Sequence, residues 1–221
     1  MRFLFHLLKY QARNFRSQID QWIWISKLRT RIRVGKYCSI SKDLVVGKGV
    51  RIKSYVNIGD GVQLGDGVTI GANASLSKVE VGRSSEIESG VRITGNGKGK
   101  ITIGENSYIG IYNILDWSDD VVIGNYVHIA GPSTGLWTHS SARQAHAGIP
   151  LKNKNTVHRP VASIKIEDYV YIGGNCTIYP GVSIGHHAII APNSAVSKNV
   201  NAYEMVGGVP AKSIKYIDWA V

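Results

Sequence analysis

The seven histidines are the residues best suited to moving protons at neutral pH, since an unperturbed imidazole is the side chain that changes charge in that range. Three of them, His139, His146 and His158, fall between Gly131 and Ser163, with Trp137 and the cations Arg143, Lys152, Lys154 and Arg159. His139 stands in GLWTHSS, at the start of that stretch. An imidazole there can take a proton from a hydroxyl or an amine, and an indole two residues away offers a flat apolar face beside it. His146 and His158 match no pattern and are expected as surface or substrate-adjacent groups. His128, inside VHI, is expected to face outward, and His186 and His187, in the turn IGHHA, to face solvent. Cys38 and Cys176 form no disulfide framework and occupy positions that want small apolar side chains, so both read as reduced packing residues.

The elements that must hold these groups follow from a period. Val34, Ile40, Val46, Ile52, Ile58, Leu64, Ile70 and Leu76 are six residues apart without a break. A second unbroken run is Ile166, Ile172, Ile178, Ile184, Ile190 and Val196, and shorter runs (Val81, Ile87, Ile93; Ile103, Ile109; Ile123, Ile129) lie between. Glycine often follows the aliphatic residue, and a small or medium residue recurs four places on, as at Val56, Val62, Val68 and Cys176. Period six excludes an amphipathic helix, whose stripe needs spacings of three and four. It fits a short strand plus a corner. Three such units close a triangular coil, which stacks residues 18 apart at the spacing of paired strands, about 4.8 Å. Glycine and asparagine at the corners accept the positive φ that sharp turns demand.

Segments such as IGDGVQLGDGVTIGANASL and IEDYVYIGGNCTIYPGVSIGHHAIIAPNSAVSKNV resemble the hexapeptide-repeat acyltransferases, over roughly Val34 to Ile217. The resemblance implies an all-β left-handed parallel β-helix; the period alone does not give the hand. It also implies transfer of an acetyl group from acetyl-CoA to a saccharide hydroxyl on a surface polysaccharide or its precursor, and a homotrimer with sites between subunits. In the similar galactoside, maltose and polysaccharide acetyltransferases a catalytic histidine sits just after a coil and before an excursion, and His139 occupies that context. Asn113, in IGIYNILDW, resembles an asparagine that hydrogen-bonds the acceptor, and Asp116, Trp117 and Asp119 follow it. Ser197 and Lys198 (AVSKNV), with Lys212 and Lys215 (VPAKSIK), fall on CoA-contacting positions, and Gly174 on one where backbone approaches the thioester arm. Tyr171, in VYIG, stands where the family often has Trp and is expected as an aromatic wall. Pro192 replaces a small residue and cannot donate an N–H. No metal is expected: the γ-class carbonic anhydrases share the fold, but His187 has Pro192 five residues on in place of a second histidine.

The boundaries read as a basic, aromatic helical segment over 1–32, a β-helix over 33–199 with an extended loop at 131–163, and a C-terminal tail over 200–221. Of the formal charge of +11, +8 lies in residues 1–36, where nine cations face one acid, Asp20. Residues 1–30 are expected either to cap the open end of the solenoid or to contact an anionic membrane surface, and the sequence leaves both open. No stretch reaches the ~18–20 apolar residues of a membrane span, and the first ten residues lack the core of a signal peptide. The default expectation is a cytoplasmic protein, peripheral at the inner face of the membrane if the segment binds lipid. Nucleic acid is not expected as a partner, since the charge is unaccompanied by a binding module. Two alternatives stay open: N-acetyl transfer to an amino sugar, and a non-catalytic β-helix scaffold or binding protein.

Overall fold

The computed structural model describes residues 32–152 and 160–218. Each aliphatic residue of the period is the inward member of a short strand, and three strands and three corners make a coil. Arg33–Val34, Ser39–Ile40 and Val45–Val46 form the first coil, and Arg51–Ile52 returns above Arg33–Val34. Pairing is parallel with an offset of 18, as in Arg33↔Arg51 and Val34↔Ile52. Repetition builds three sheets of ten, eight and seven strands among the described residues, the faces of a left-handed parallel β-helix. The core is one column per face: Ile52, Ile70, Ile87, Ile109 and Ile129 on the ten-stranded sheet are at most 3% exposed. Full burial of such side chains contributes roughly 1.5–3 kcal/mol each. Close stacking fixes some glycines: a Cβ on Gly71 would collide with the backbone of Ser89 in the next coil.

The corners are less glycine-dependent than the sequence suggests. Along the edge between the seven- and ten-stranded sheets, Tyr126, Tyr169, His187 and Tyr203 have φ of 54°, 61°, 58° and 59°. A left-handed residue with a Cβ costs roughly 1–2 kcal/mol. Here the rings stack on one another at 5.3, 4.7 and 4.8 Å, and such pairs contribute ~0.5–1.5 kcal/mol beyond area burial, which offsets much of that cost. His186 and His187 therefore join a ring ladder instead of simply facing solvent; His186 packs edge-on against Tyr203 at 5.0 Å.

The excursion is shorter than the expected 131–163. Gly135–Leu136 is a strand of the eight-stranded sheet, paired with Ile114–Asp116 on one side and Thr177–Ile178 on the other. The corner before it is one residue longer than usual, so Leu136 falls seven residues after Ile129, and the rhythm passes unnoticed. The chain leaves the coil after Thr138 and returns at Ala162, whose N–H donates to the Thr138 carbonyl at 2.9 Å. Among the described residues of the excursion lies one short helix, Ala142–His146, carrying the exposed His146. His158 and the helical segment expected for 1–32, save Ile32, lie outside the described residues. The expected tail at 200–221 begins as one more coil: Glu204–Gly207 pairs parallel with Ile189–Ile190, and Lys212–Tyr216 then folds back antiparallel over it. That exposed final strand covers the last sheet edge of the core.

Candidate active site

Coil stacking builds the site at the corner between the eight- and seven-stranded sheets. Leu115, Leu136, Ile178 and Val196 are register partners in four successive coils, so the residues that follow them, Asp116, Trp137, Tyr179 and Ser197, share one edge. Asp116 and His139 are 23 residues apart in sequence, yet the His139 Nδ1 lies 2.6 Å from the Asp116 Oδ2. The Asp116 side chain is 2% exposed and that of His139 23%.

Asp116 is held by five donors. The Ser118 N–H and hydroxyl donate to Oδ1 at 3.1 and 2.8 Å. The Thr138 N–H and hydroxyl donate to Oδ2 at 3.1 and 2.8 Å, beside His139. Burial alone pushes the Asp116 carboxyl up, but the bonds from His139, Ser118 and Thr138 outweigh it and hold the group below the usual carboxylate range. An ionised Asp116 accepts only, so Nδ1 carries the proton and Nε2 presents its lone pair. An antiparallel bridge between His139 and Val161 fixes the backbone of the histidine at the root of the excursion. This is the arrangement of an oriented general base. Asp116 was legible only as a neighbour of Asn113; nothing local in the sequence joins it to His139.

The other expected residues separate into groups. Trp137 belongs to the same edge as His139, with its indole over Gly135, where any side chain would displace it. Ser197 and Lys198, both exposed, continue that edge two coils further on, about 10 Å from the Trp137 level. The segment leading to Lys212 packs there too: the Ala211 N–H donates to the Ala195 carbonyl at 2.8 Å. Tyr171 and Lys215 do not join them. They lie in one register column on the outer face of the ten-stranded sheet, through Ile189 and Met205. Tyr171 packs on His128, which is itself exposed, at 5.3 Å. Gly174 is at the third corner, where a Cβ would sit 2.6 Å from the Gly131 carbonyl oxygen, so coil stacking by itself accounts for the glycine.

Asn113 requires a correction. It is fully buried, and its amide is spent on the fold: it donates to the Ile129 and Ala130 carbonyls at 3.3 and 3.1 Å and accepts from the Thr134 N–H at 2.9 Å. It cannot reach an acceptor substrate; it shapes the corner before Gly135–Leu136. Trp117 is likewise engaged, its indole N–H donating to the Ser77 hydroxyl at 3.0 Å. A groove of about 450 Å³ at the corner between the seven- and ten-stranded sheets, lined by Lys165, Glu167, Tyr169, His186 and His187 among others, includes none of the His139 site. Among the described residues no cluster of three or more His, Cys, Asp or Glu side chains is placed to hold a metal ion.

The coils define the fold class: the chain is a left-handed parallel β-helix of six-residue repeats, and residues 43–78 and 163–198 match the model of the bacterial transferase hexapeptide (six repeats). Among particular proteins, it is 50% identical over 46 residues to a chloramphenicol acetyltransferase of Klebsiella aerogenes, a match covering 21% of this chain and 22% of that one. The chain thus spans about a fifth of that relative's length. It is 29% identical over 142 residues to the putative lipopolysaccharide biosynthesis O-acetyl transferase WbbJ of Escherichia coli K12, over 53% of this chain and 72% of that protein. Among solved structures it is similar to the polySia specific acetyltransferase NeuO, with 26% identity, a TM-score of 0.50, and coverage of 86% of this chain and 84% of that one.

Proposed function

We propose that this protein is an acetyltransferase that moves an acetyl group from acetyl-CoA to a hydroxyl of a saccharide, with His139 as the general base. The observation that carries this reading is the 2.6 Å contact of His139 with a buried, ionised Asp116 at the mouth of the excursion. A sugar hydroxyl is almost un-ionised at neutral pH and attacks a thioester only as its proton leaves. Nε2 takes that proton as the C–O bond forms, while Asp116 stabilises the imidazolium across Nδ1. When the tetrahedral adduct collapses, the C–S bond breaks and the same proton returns to the thiolate sulfur, giving an ester and free CoA. Trp137 offers the acceptor an apolar face. Lys198 and Lys212 supply cations for the coenzyme's phosphates at the far end of the edge.

The names of WbbJ and NeuO support a saccharide acceptor, on a surface polysaccharide or its precursor. The separation of Tyr171 and Lys215 from His139 supports a homotrimer in which the late coils of the ten-stranded face of one chain, around Tyr171 and Lys215, complete the His139 edge of the next, leaving the first two coils of that face free. To test the reading, the protein is incubated with acetyl-CoA and a panel of saccharides, following free thiol and product mass. Ester products lose the added acetyl group in hydroxylamine, whereas amide products keep it, which separates hydroxyl from amine acceptors. His139→Ala should reduce turnover by about 10²–10⁴-fold with the fold intact; undiminished turnover would remove His139 from the mechanism.

A further inference from the structure

We propose that the outer face of the first two coils, on the ten-stranded sheet and at its corner with the eight-stranded sheet, docks on an anionic lipid bilayer. Arg33 and Lys36 in the first coil and Arg51 and Lys53 in the second are all exposed, and Arg33 and Arg51 are register partners on the same face. Over the matching stretches of the first three coils, 33–40, 51–58 and 69–76, there is neither Asp nor Glu. Of the acids of these coils, Asp43, Asp60 and Asp66 lie at the other two corners and Glu80 on the seven-stranded sheet, and all are tied down: Asp43 accepts from the Gly61 N–H at 2.8 Å, Asp60 from the Ser41 hydroxyl at 2.8 Å, Asp66 from the Lys48 N–H at 2.7 Å, and Glu80 from the Lys100 ammonium at 2.9 Å. None of the four cations is in an ion pair among the described residues; the Arg51 guanidinium donates to the neutral Thr69 hydroxyl.

The cations flank an apolar element. Tyr37 and Tyr55 stack at 5.1 Å while 75% and 58% exposed, an aromatic pair projecting between like charges. Amphipathic rings beside arginines and lysines suit the headgroup layer, where the ring enters the interface and the cations meet anionic lipid. The preceding sequence has the same character. Residues 1–31 hold seven cations against Asp20, with Phe3, Phe5, Trp22 and Trp24, and they lead directly into this face at Arg33. A segment of the same sign cannot neutralise the patch, and its cations add to the attraction of an anionic surface. His139 follows the sixth strand of the eight-stranded sheet, five coil spacings or about 24 Å from this end, within reach of an acceptor held at a membrane surface.

The test uses the full chain with vesicles of phosphatidylcholine, alone or with about a third phosphatidylglycerol, sedimented at low and high salt. Binding is expected to the anionic vesicles only, and to weaken with salt. Each cation near the surface contributes roughly a fivefold factor, so R33Q/K36Q/R51Q/K53Q should lower partitioning by about a hundredfold, allowing for charges held off the plane. Tyr37→Ser with Tyr55→Ser should lower it further, and neither set should alter turnover of a soluble acceptor. Should the quadruple variant unfold, K36Q/K53Q, with both side chains on the surface, is expected to show a loss of about tenfold. Vesicle binding unchanged in these variants, equal binding to neutral vesicles, or preference for an RNA or an anionic polysaccharide over the vesicles would each overturn the proposal.

Discussion

Replacing Asp116 by Asn removes one charge and turns one of two acceptor oxygens into a donor. Five donors converge on that carboxylate, from Ser118, Thr138 and His139. If the amide oxygen stays toward Thr138 and His139, its NH₂ meets the Ser118 N–H, which cannot rotate away. If the oxygen turns toward Ser118, the NH₂ faces His139, and the imidazole must move its proton to Nε2 to accept at Nδ1. The base is then disabled. In both orientations the charge that stabilises the imidazolium is gone. Loss of a charge-assisted contact as short as 2.6 Å, with part of the tautomer population, is worth about 3–4 kcal/mol in the transition state. That is a fall in kcat of about 10²–10³-fold, inside the ~10⁴ a general base contributes at most. The assay is the initial rate of thiol release at saturating acetyl-CoA, beside a melting curve. A buried unmatched N–H lowers stability by about 1–3 kcal/mol, so rates are compared well below the transition. The KM for the donor should hold, because Asp116 is buried behind the histidine. Acid titration gives a second readout. The folded carboxyl titrates below its ordinary value of 3.8, so its stabilisation is present above that pH and is lost as pH falls through the folded value. The Asn variant should lack that acid-dependent loss. A folded Asn variant with kcat within threefold of the parent would refute the reasoning.

Asn113→Ala leaves the buried Thr134 N–H without an acceptor and takes a donor from the Ala130 and Ile129 carbonyls, the second of which keeps the Gly110 N–H, so thermal unfolding should show a loss of about 2–4 kcal/mol. Its effect on turnover should follow the displaced corner and not acceptor binding, so the acceptor KM should change little below the melting range. Trp137→Ala should raise the acceptor KM several-fold, at a cost of roughly 0.5–1.5 kcal/mol for a lost aromatic contact, with kcat nearly unchanged. An unaltered acceptor KM would take the indole out of the binding surface.

The sequence exposes the solenoid because every coil repeats the same local decision, an aliphatic residue inward and then a corner. The runs from Val34 to Leu76 and Ile166 to Val196 are the inward positions of the strands found. Legibility fails where corners change length: Leu136 is fully buried but lies seven residues after Ile129, and the run Ile103, Ile109, Leu115 is cut off from Ile123 by a gap of eight. His139 is visible because it stands where the period stops. Its partner is not, because Asp116 meets it through the stacking of one coil on the next, which a linear pattern does not encode. Asn113 shows the reverse error: an amide read as a ligand contact is consumed by carbonyls that only the folded corner brings near.

The narrow root of the excursion also bears on how such a protein diversifies. The chain departs and returns through one pinch, where Ala162 bonds to Thr138 at 2.9 Å and Ser140 to Pro160 at 3.3 Å. Beyond that pinch the price of extra length is only about 0.6 kcal/mol per doubling of a flexible loop. Residues between Ser140 and Pro160 can thus be replaced or lengthened while His139 keeps its bond to Asp116. Selection for a new acceptor can act on the excursion as an interchangeable cassette, with the His139–Asp116 pair, the proposed proton-transfer group, inherited intact from the coil beneath it.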